Sequence, residues 1–408
     1  NAEQARAILD QHRFDAIVDT KGLMFKNHCC LLSPRRAPLQ IHWLAFPGTL
    51  GVPNLDYTIG DPIVTPPGNA RHLLENVIRM PECYQINDDS FKIEPQSAPP
   101  KIHRRPGRLL LACVNMNYKI CHETVLAWQR ILRQCPNVDL AIVCRSKGAI
   151  AAVSLAFRSA QFRADRIQAH MGQPRMPFLT NIRQEVDLVV DPFRCPGHTT
   201  ASDAFTAGIP VVSLVTDTFH GSVGHSLATA MGLADELTAR TPHEYIEKTV
   251  ALLRDTPRRE ALRARVRQQR RWSTLYDSRR YMDLFWSGIR AALKNTKAGA
   301  ERSDIDIVST SRFGPEVALD QTVAAFTAHI HPGQAVSRFI LNDVQVMVSM
   351  VHGEVWAGER CLTTEFQPTA QPPSSDGNVQ VRFSRSGKGT CVVQGLRPVL
   401  LGIPFPRR

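Results

Sequence analysis

Residues 108–114 read Arg-Leu-Leu-Leu-Ala-Cys-Val, and residues 138–144 read Val-Asp-Leu-Ala-Ile-Val-Cys. Both runs are almost continuously apolar, which is typical of strands that are buried on both faces of a parallel sheet. Residues 122–135, which lie between them, place apolar side chains at helical spacing. A buried strand, a helix and a second buried strand predict a βαβ unit with a right-handed crossover.

The same alternation continues along the chain and predicts a Rossmann-like half over residues 108–295. In such a sheet the ligand site lies beyond the carboxyl ends of the strands, where the strand order reverses. The further elements predicted are helix 148–160, strand 166–170, helix 178–184, strand 187–191, a helix from Thr200, strand 210–215, and helices 242–254, 257–271 and 278–294.

The segments on either side of this half are less regular. Residues 1–93 contain short strand patterns and predict a partial Rossmann-like half, whereas residues 94–107 hold four prolines without apolar periodicity and predict a linker. Residues 296–408 contain alternating stretches and a Pro/Ser/Gly-rich segment, which leaves open a small β module or a partly disordered extension. The strand patterns of the first segment are 14–19, 39–45 and 56–60.

The composition excludes several classes of protein. The chain has 408 residues, of which 43% are apolar and 21% are charged, as in a globular protein with a large core. No apolar run reaches the length of about 18 residues that a membrane span needs, so we do not expect a membrane partner. The first residue is Asn and no secretory leader precedes the first helical pattern, so we expect a processed product or a piece of a longer chain.

Positive charge is concentrated in one segment. The chain carries 49 Lys and Arg against 37 Asp and Glu, and residues 254–280 alone contain ten arginines and three carboxylates. We interpret this segment as a solvated helix face, because nucleic-acid binding would interleave aromatic residues with the basic ones, and only Trp272 and Tyr276 are present, at its end. A nucleic-acid binder is therefore a minor alternative.

The cysteines indicate a reducing compartment. Ten are present, none forms a CxxC pair, and several lie inside apolar strand or helix patterns. Buried free thiols in a cytoplasmic protein explain this usage. The sequence has no zinc signature, and Asp304-Ile-Asp306 is too short a pattern to indicate a metal site, so no metal is expected.

A lysine follows the first buried strand of the second half. Lys119 ends the segment Asn115-Met-Asn-Tyr-Lys, directly after residues 108–114. A lysine ammonium group in this place can neutralise a diphosphate, although an ordinary surface lysine is the other interpretation.

A second loop, Cys195-Pro-Gly-His-Thr-Thr200, leads from a strand into a helix. Its glycine lets the backbone approach a ligand, and we expect the helix amides and the hydroxyls of Thr199 and Thr200 to point outward as a phosphate cradle. A plain N-cap at either threonine is the alternative. His198 is expected to donate to a phosphate oxygen, and Asp203 to accept from a ribose diol.

Neither loop carries a nucleotide-binding fingerprint of the common kinds. The GxxxxGK[ST] pattern of ATPases and the G-x-G-x-x-G pattern of dehydrogenases are both missing from the sequence. The residues alone therefore predict a two-lobed α/β protein that binds a nucleotide diphosphate between its lobes.

Four separated motifs, in order along the chain, resemble a known family. Residues 37–61, with Ala-Pro-Leu-Gln, Pro-Gly-Thr-Leu-Gly and Asp-Tyr followed by Asp, resemble the signature of the protein O-GlcNAc transferases and the related SPINDLY-type transferases. Arg79–Gln85, Tyr118-Lys119 and Gly197–Pro210 continue the match. The resemblance covers about residues 3–294.

This resemblance implies a metal-independent, inverting glycosyltransferase of GT-B architecture, whose first Rossmann-like half is N-terminally incomplete. It implies transfer of GlcNAc from UDP-GlcNAc, as co-substrate and without a cofactor, to Ser or Thr of protein acceptors, with tetratricopeptide repeats upstream. The family motifs place Lys119 in the site as catalytic residue and diphosphate ligand, His198, Thr199 and Thr200 at the diphosphate, Asp203 at the ribose, and Leu44, Ala45, Pro47, Gly48 and Thr49 in the sugar pocket.

Departures from the family pattern leave alternatives open. The protein O-GlcNAc transferases carry a diphosphate-contacting Gln where this chain has Met116, and their basic nucleotide-holding cluster has only Arg175 and Arg183 as substitutes here. The first βα unit of the family lies upstream of this chain. The alternatives are a non-catalytic homologue that binds nucleotide or a protein partner, and an N-glucosyltransferase or O-fucosyltransferase of the same superfamily.

Overall fold

Two parallel sheets form the framework of residues 1–308, and residues 309–408 form a separate unit. Helices and strands alternate in the first unit, which confirms the predicted α/β fold. The computed structural model describes residues 2–67, 72–88, 93, 102–158 and 164–307, and seven strands between residues 325 and 385.

The elements of the first unit agree with the predicted ones to within a few residues, and the pattern missed β4, α6, α7, β10 and β11. The helices are α1 (Ala2–Gln11), α2 (His122–Gln134), α3 (Lys147–Arg158), α4 (Arg175–Glu185), α5 (Thr199–Ala207), α6 (Phe219–Ala230), α7 (Ala234–Leu237), α8 (Pro242–Arg254), α9 (Thr256–Trp272) and α10 (Ser278–Lys297). The strands are β1 (Ala16–Asp19), β2 (Leu39–His42), β3 (Tyr57–Gly60), β4 (Asn76–Arg79), β5 (Leu109–Cys113), β6 (Val138–Cys144), β7 (Ile167–Met171), β8 (Leu188–Val190), β9 (Val211–Leu214), β10 (Thr238–Ala239) and β11 (Ile305–Asp306).

The second sheet has the topology of a nucleotide-binding fold. Its strands lie parallel in the order β10-β9-β8-β5-β6-β7. Counted from β5, this is the doubly wound order 3-2-1-4-5-6, which reverses between β5 and β8. The loops that follow these two strands, residues 114–119 and 191–198, therefore flank one crevice at the carboxyl edge of the sheet.

The first sheet is also parallel, in the order β1-β2-β3-β4-β11. Its last strand comes from residues 305–306, far along the chain, and is held by the buried guanidinium group of Arg79, which forms ion pairs with Asp304 and Asp306. Asp304 also accepts a hydrogen bond from the Val77 amide at 2.9 Å. The Asp-Ile-Asp triplet therefore has a structural part in joining β11 to β4.

The last helix of the first unit, α10, packs on the first sheet, whereas the sequence assigned it to the second half. The indole of Trp43, just after β2, lies 5.9 Å from the ring of Tyr281 and 4.9 Å from that of Phe285, between ring centroids. A Cβ atom at Gly288 would lie 2.7 Å from the side chain of Ile78, so the helix approaches β4 at a glycine. The helix thereby ties the two halves together.

The arginine-rich segment is only in part a solvated helix face. Arg258 and Arg267 of α9 are exposed, as that interpretation expects, whereas other arginines of the segment pack against the protein. Arg259 is only 2% exposed and donates to the carbonyl oxygens of Leu252 and Leu253 at the end of α8. Arg263 donates to the carbonyl oxygens of Val186 and Asp187 in the same way. Carbonyl groups at helix and loop ends need donors, and these guanidinium groups supply them.

Part of the predicted linker is packed against the second half. Ile102 is buried, and its amide and carbonyl groups both bond the side chain of Asn181, at 2.9 and 2.8 Å. Residues 94–101 of the linker lie outside the described residues. None of the helices that the structure describes combines the length and the apolar character that a bilayer span needs.

The described part of the second unit consists of antiparallel strands in two sheets, in the orders β12-β18-β17 and β13-β14-β15-β16. The two alternating stretches of the sequence form β14 and β18, and residues 370–378 of the Pro/Ser/Gly-rich segment lie outside the described residues. The strands are β12 (Ala325–Ile330), β13 (Val336–Leu341), β14 (Val344–Ser349), β15 (Glu354–Ala357), β16 (Arg360–Cys361), β17 (Phe366–Thr369) and β18 (Val379–Arg385).

We predict that Asp304→Ala destabilises the first unit more than Asp306→Ala does. The first change removes the less exposed of the two carboxylates that pair with the buried guanidinium group of Arg79, which lowers the unfolding free energy by about 2–3 kcal/mol. Asp306 is largely exposed, so its loss costs less than about 1 kcal/mol. Urea denaturation of the two variants checks this, and equal shifts of the midpoint would contradict it.

Candidate functional site

Lys119 joins the two predicted anion-binding loops. It ends a short 3-10 helix, Asn117–Lys119, that follows β5. Its ammonium group donates to the carbonyl oxygen of Pro196 at 3.1 Å and to Oδ1 of Asn115 at 3.4 Å. The ordinary-surface-lysine interpretation is therefore wrong, because the side chain bridges the carboxyl ends of β5 and β8.

A buried carboxylate lies beneath this lysine. Asp191, just after β8, is fully buried and accepts from Nδ2 of Asn115 at 2.7 Å and from the Ser213 hydroxyl at 2.5 Å. Burial raises the pKa of Asp191, and the hydrogen bonds from Ser213, the Gly197 amide and Asn115 oppose that shift. Sequence reasoning missed Asp191 and Asn115 as site residues, although both stand at strand ends.

The side-chain amide oxygen of Asn115 holds both loops. Its Oδ1 accepts from the Lys119 ammonium group and, at 3.1 Å, from the Thr200 hydroxyl. The expectation that the Thr200 hydroxyl points outward was therefore wrong, since its proton is donated inward to Asn115. Thr200 can still face an anion through its backbone amide.

The start of α5 is left without a side-chain cap. The helix begins at Thr199 after His198, whose side chain makes no capping hydrogen bond, whereas Thr218 caps α6 and Thr241 caps α8. The N-cap interpretation of Thr199 and Thr200 was thus wrong. Uncapped amides at the positive end of a helix dipole are an anion-binding arrangement.

A glycine allows this close geometry. A Cβ atom at Gly197 would lie 2.8 Å from the Thr200 hydroxyl oxygen, 2.9 Å from the Ala201 amide nitrogen and 2.9 Å from the Asp191 carboxylate. These separations are shorter than van der Waals contact, so any other residue would push the loop away from the helix start.

His198 is half-buried and neutral. Its Nε2 lies 3.1 Å from the carbonyl oxygen of His220, and because a carbonyl only accepts, Nε2 carries the proton. Burial, with the nearby Lys119 ammonium group, lowers the pKa of His198 to about 3. In this form Nδ1 bears a lone pair, so the ring accepts a hydrogen bond there rather than donates one.

The carboxylate expected at the ribose is already engaged. Oδ1 of Asp203 accepts from Nε and Nη2 of Arg175 at 2.9 and 2.8 Å. Burial raises the pKa of Asp203, and the bonds from Arg175 oppose the shift. Of the two arginines proposed as nucleotide-holding substitutes, Arg175 therefore lies at the site, whereas Arg183 is exposed in the last turn of α4.

The predicted sugar-pocket loop follows β2 in the other half. Leu44 has a backbone φ of 87°, a left-handed conformation that is strained for a branched residue and must be held by its surroundings. Nε2 of His42 bonds the Phe46 carbonyl oxygen at 2.7 Å, and Oε1 of Glu75 accepts from the Leu50 amide at 2.9 Å. Both side chains brace the segment that holds Leu44, Ala45, Pro47, Gly48 and Thr49.

Tyr84 connects this loop to the second half of the first unit. Its carbonyl oxygen accepts from the indole of Trp43 at 3.0 Å and from the Tyr281 hydroxyl at 2.6 Å. Its ring meets that of Phe219, the first residue of α6, edge-on at 5.1 Å between centroids. The sugar-pocket loop and the loop before α6 therefore lie on either side of one buried tyrosine.

The chain matches the family described as glycosyl transferase family 41 over residues 9–95 and 102–285, which is more than half of its length. The chain belongs to glycosyl transferase family 41. The two Rossmann-like halves are the GT-B architecture that the sequence predicted.

Relatives of this family 41 chain include two plant proteins. The chain is 29% identical over 292 residues to the probable UDP-N-acetylglucosamine–peptide N-acetylglucosaminyltransferase SEC of Arabidopsis thaliana, and 26% identical over 277 residues to the one named SPINDLY. These matches cover 67% and 64% of this chain and 29% of each relative. The chain thus spans less than a third of their length.

A solved structure shares the fold. A mutant O-GlcNAc transferase of Thermobaculum terrenum has a TM-score of 0.63 at 24% identity, covering 72% of this chain and 56% of that one. Within the described residues of the family 41 chain, no group of three or more His, Cys, Asp or Glu side chains is arranged to hold a metal ion.

We predict that His198 contributes to acid destabilisation of the family 41 chain. The unfolded residue takes up a proton near pH 6.5, whereas the folded one does so only near pH 3, so its stabilising contribution is complete above 6.5 and is lost as the pH falls toward 3. His198→Gln keeps a donor for the His220 carbonyl oxygen but does not titrate. Between pH 7 and 4.5 it should lose about 2 kcal/mol less unfolding free energy than the wild type.

Urea denaturation at the two pH values measures this difference. His243→Gln, at an exposed position, serves as the control and should follow the wild type. Parallel losses in all three proteins would contradict a neutral His198 in the folded protein.

Proposed function

We propose that this chain is the catalytic region of a protein O-linked glycosyltransferase that moves GlcNAc from UDP-GlcNAc to Ser or Thr hydroxyls of protein acceptors. The observation that carries the proposal is the convergence of Lys119 and the uncapped start of α5 on one crevice, between β5 and β8. Membership of family 41 and the names of its relatives support the sugar and the acceptor class.

The proposed reaction is a single displacement at the anomeric carbon. The acceptor hydroxyl oxygen forms a bond to the anomeric carbon as the bond between that carbon and the diphosphate oxygen breaks. The configuration inverts, and the hydroxyl proton passes to water or to the departing diphosphate. Negative charge grows on the departing UDP, and the Lys119 ammonium group and the α5 amides stabilise it. These groups supply positive charge from the protein itself, so we propose that no metal or other cofactor takes part.

Each predicted site residue receives a role in this proposal. Lys119 is the catalytic residue and a diphosphate ligand, Asp203 receives the ribose diol through a carboxylate that Arg175 orients, and Thr200 acts through its amide. The remaining proposed contacts are Thr199 at the diphosphate and Leu44, Ala45, Pro47, Gly48 and Thr49 at the sugar. His198 borders the diphosphate, and its Nε2 proton bonds the His220 carbonyl oxygen.

The setting of the reaction is also part of the proposal. The cysteines between Cys29 and Cys195 are free thiols, which supports a cytoplasmic location. Tetratricopeptide repeats upstream of this region would recruit the protein acceptors.

We predict that Lys119→Ala raises the dissociation constant of UDP about tenfold and lowers the transfer rate about a hundredfold or more, because one charged contact to the leaving group is lost. Calorimetric titration of UDP and transfer of labelled GlcNAc to acceptor protein measure the two effects. Lys297→Ala, at an exposed surface pair with Asp15, is the matched control and should behave as the wild type.

The donor test separates the alternatives. Labelled UDP-glucose and GDP-fucose, offered beside UDP-GlcNAc, identify an N-glucosyltransferase or an O-fucosyltransferase by the label that is transferred. UDP binding without transfer from any donor would indicate the non-catalytic homologue, and unchanged kinetics of the Lys119 variant would overturn the assignment.

A further prediction concerns metal ions. Transfer should proceed at an unchanged rate in the presence of EDTA, because Lys119 and the helix amides supply the charge that a metal would. Loss of transfer with EDTA, restored by added Mg²⁺ or Mn²⁺, would contradict this.

A further inference from the structure

A third loop reaches the same edge of the second sheet. It follows β9, the neighbour of β8, and leads through Thr216 and Thr218 into α6. His220 lies in the first turn of this helix, and its carbonyl oxygen accepts the Nε2 proton of His198 at 3.1 Å. None of the family motifs found in the sequence includes His220.

The ring of His220 has a hydroxyl as its neighbour. Its Nε2 lies 3.3 Å from Oγ1 of Thr218, which also accepts from the Gly221 amide at 3.1 Å and lies 3.1 Å from Oγ1 of Thr216. A threonine hydroxyl has one proton and two lone pairs. When the Gly221 amide and the Thr216 hydroxyl fill the lone pairs, the Thr218 proton is donated to Nε2 of His220.

With the hydroxyl protons oriented in this way, the proton of a neutral His220 lies on Nδ1. His198 differs in this respect, because its Nε2 faces a carbonyl oxygen that cannot donate, so its proton is fixed on Nε2. The two rings therefore favour opposite tautomers when an anion is bound. Of the two, His220 can donate a hydrogen bond from Nδ1 without first taking up a proton.

The charge around His220 favours this neutral form. Burial lowers the pKa of His220, and the Lys119 ammonium group lowers it further. The described part of the chain offers no hydrogen bond to its Nδ1. The ring therefore favours the neutral form, and its Nδ1 is available within the described residues.

We propose that His220 is a further ligand of the donor diphosphate, which gives its Nδ1 proton to a phosphate oxygen while the Thr218 hydroxyl occupies Nε2. This inference rests on the proposed function, because it requires a nucleotide diphosphate in the crevice between β5 and β8. It assigns the direct donor role to His220, and it leaves His198 as the residue that holds the His220 backbone.

Two near-isosteric variants separate the ring nitrogens. In His220→Asn the side-chain amide nitrogen stands near the place of Nδ1, and in His220→Gln it stands near the place of Nε2. We expect the dissociation constant of UDP to rise about tenfold in His220→Gln, as loss of one charge-assisted hydrogen bond implies, and to stay within about threefold of wild type in His220→Asn. Titration calorimetry with UDP on the full 408-residue chain measures both.

The matched controls use another histidine of the same helix. His225 bonds the Thr238 hydroxyl through Nδ1 at 3.3 Å, and we expect both His225→Asn and His225→Gln to leave UDP affinity unchanged. Melting temperatures of all four variants are recorded. Equal loss of UDP affinity in the two His220 variants, with or without a fall in melting temperature, would overturn the Nδ1 assignment.

Nitrogen NMR of the wild-type chain, labelled at histidine and saturated with UDP, gives a readout that a packing role would not produce. We expect His220 to show the Nδ1-protonated pattern and His198 the Nε2-protonated one, and the reverse pattern at His220 would overturn the proposal. Suppose that UDP binds the wild type, that Lys119→Ala weakens this binding and that His220→Gln does not. This inference then fails, whereas the proposed function stands. If UDP does not bind to the wild type, the proposed function itself fails.

Discussion

The site depends on one buried carboxylate, that of Asp191. This carboxylate is fully buried, and hydrogen bonds from Asn115, Ser213 and the Gly197 amide, all of them uncharged donors, stabilise it. Because Asn115 is fixed in this way, its free oxygen orients both Lys119 and Thr200. Two loops that are distant in sequence thus receive their relative positions from a single side chain at the reversal of strand order.

This arrangement keeps the lysine available for an anion. The Lys119 ammonium group bonds a carbonyl and an amide oxygen, both neutral, so its charge is oriented without being neutralised by a carboxylate. The imidazole of His198 stays uncharged beside it, which avoids repulsion between cations in a buried place. The crevice therefore presents the Lys119 ammonium group together with a set of oriented dipoles, which is the pattern that the proposed stabilisation of a departing diphosphate requires.

Local sequence was sufficient for the framework and for much of the site. The apolar runs at 108–114 and 138–144 predicted buried parallel strands. Residues that follow these strands predicted the site, because the carboxyl ends of parallel strands lie at the same edge of the sheet. Strand β11 and the return of α10 were not predictable, since their partners, Arg79 and Trp43, lie more than 200 residues away in sequence. The inward turn of the Thr200 hydroxyl likewise depends on Asn115, a tertiary neighbour that spacing does not reveal.

The distance between the two lobes is also fixed by buried polar contacts. Asp61, below the first sheet's carboxyl edge, accepts from the Ser226 hydroxyl at 2.7 Å, and Gln85 donates to the Ser202 hydroxyl at 2.5 Å. These groups are buried, so separating them without water would leave unpaired donors and acceptors at a cost of about 1–3 kcal/mol each. The strained backbone of Leu44 and the start of α5 are therefore held at a separation that the protein sets before any ligand binds, which is the condition for electrostatic stabilisation without reorganisation.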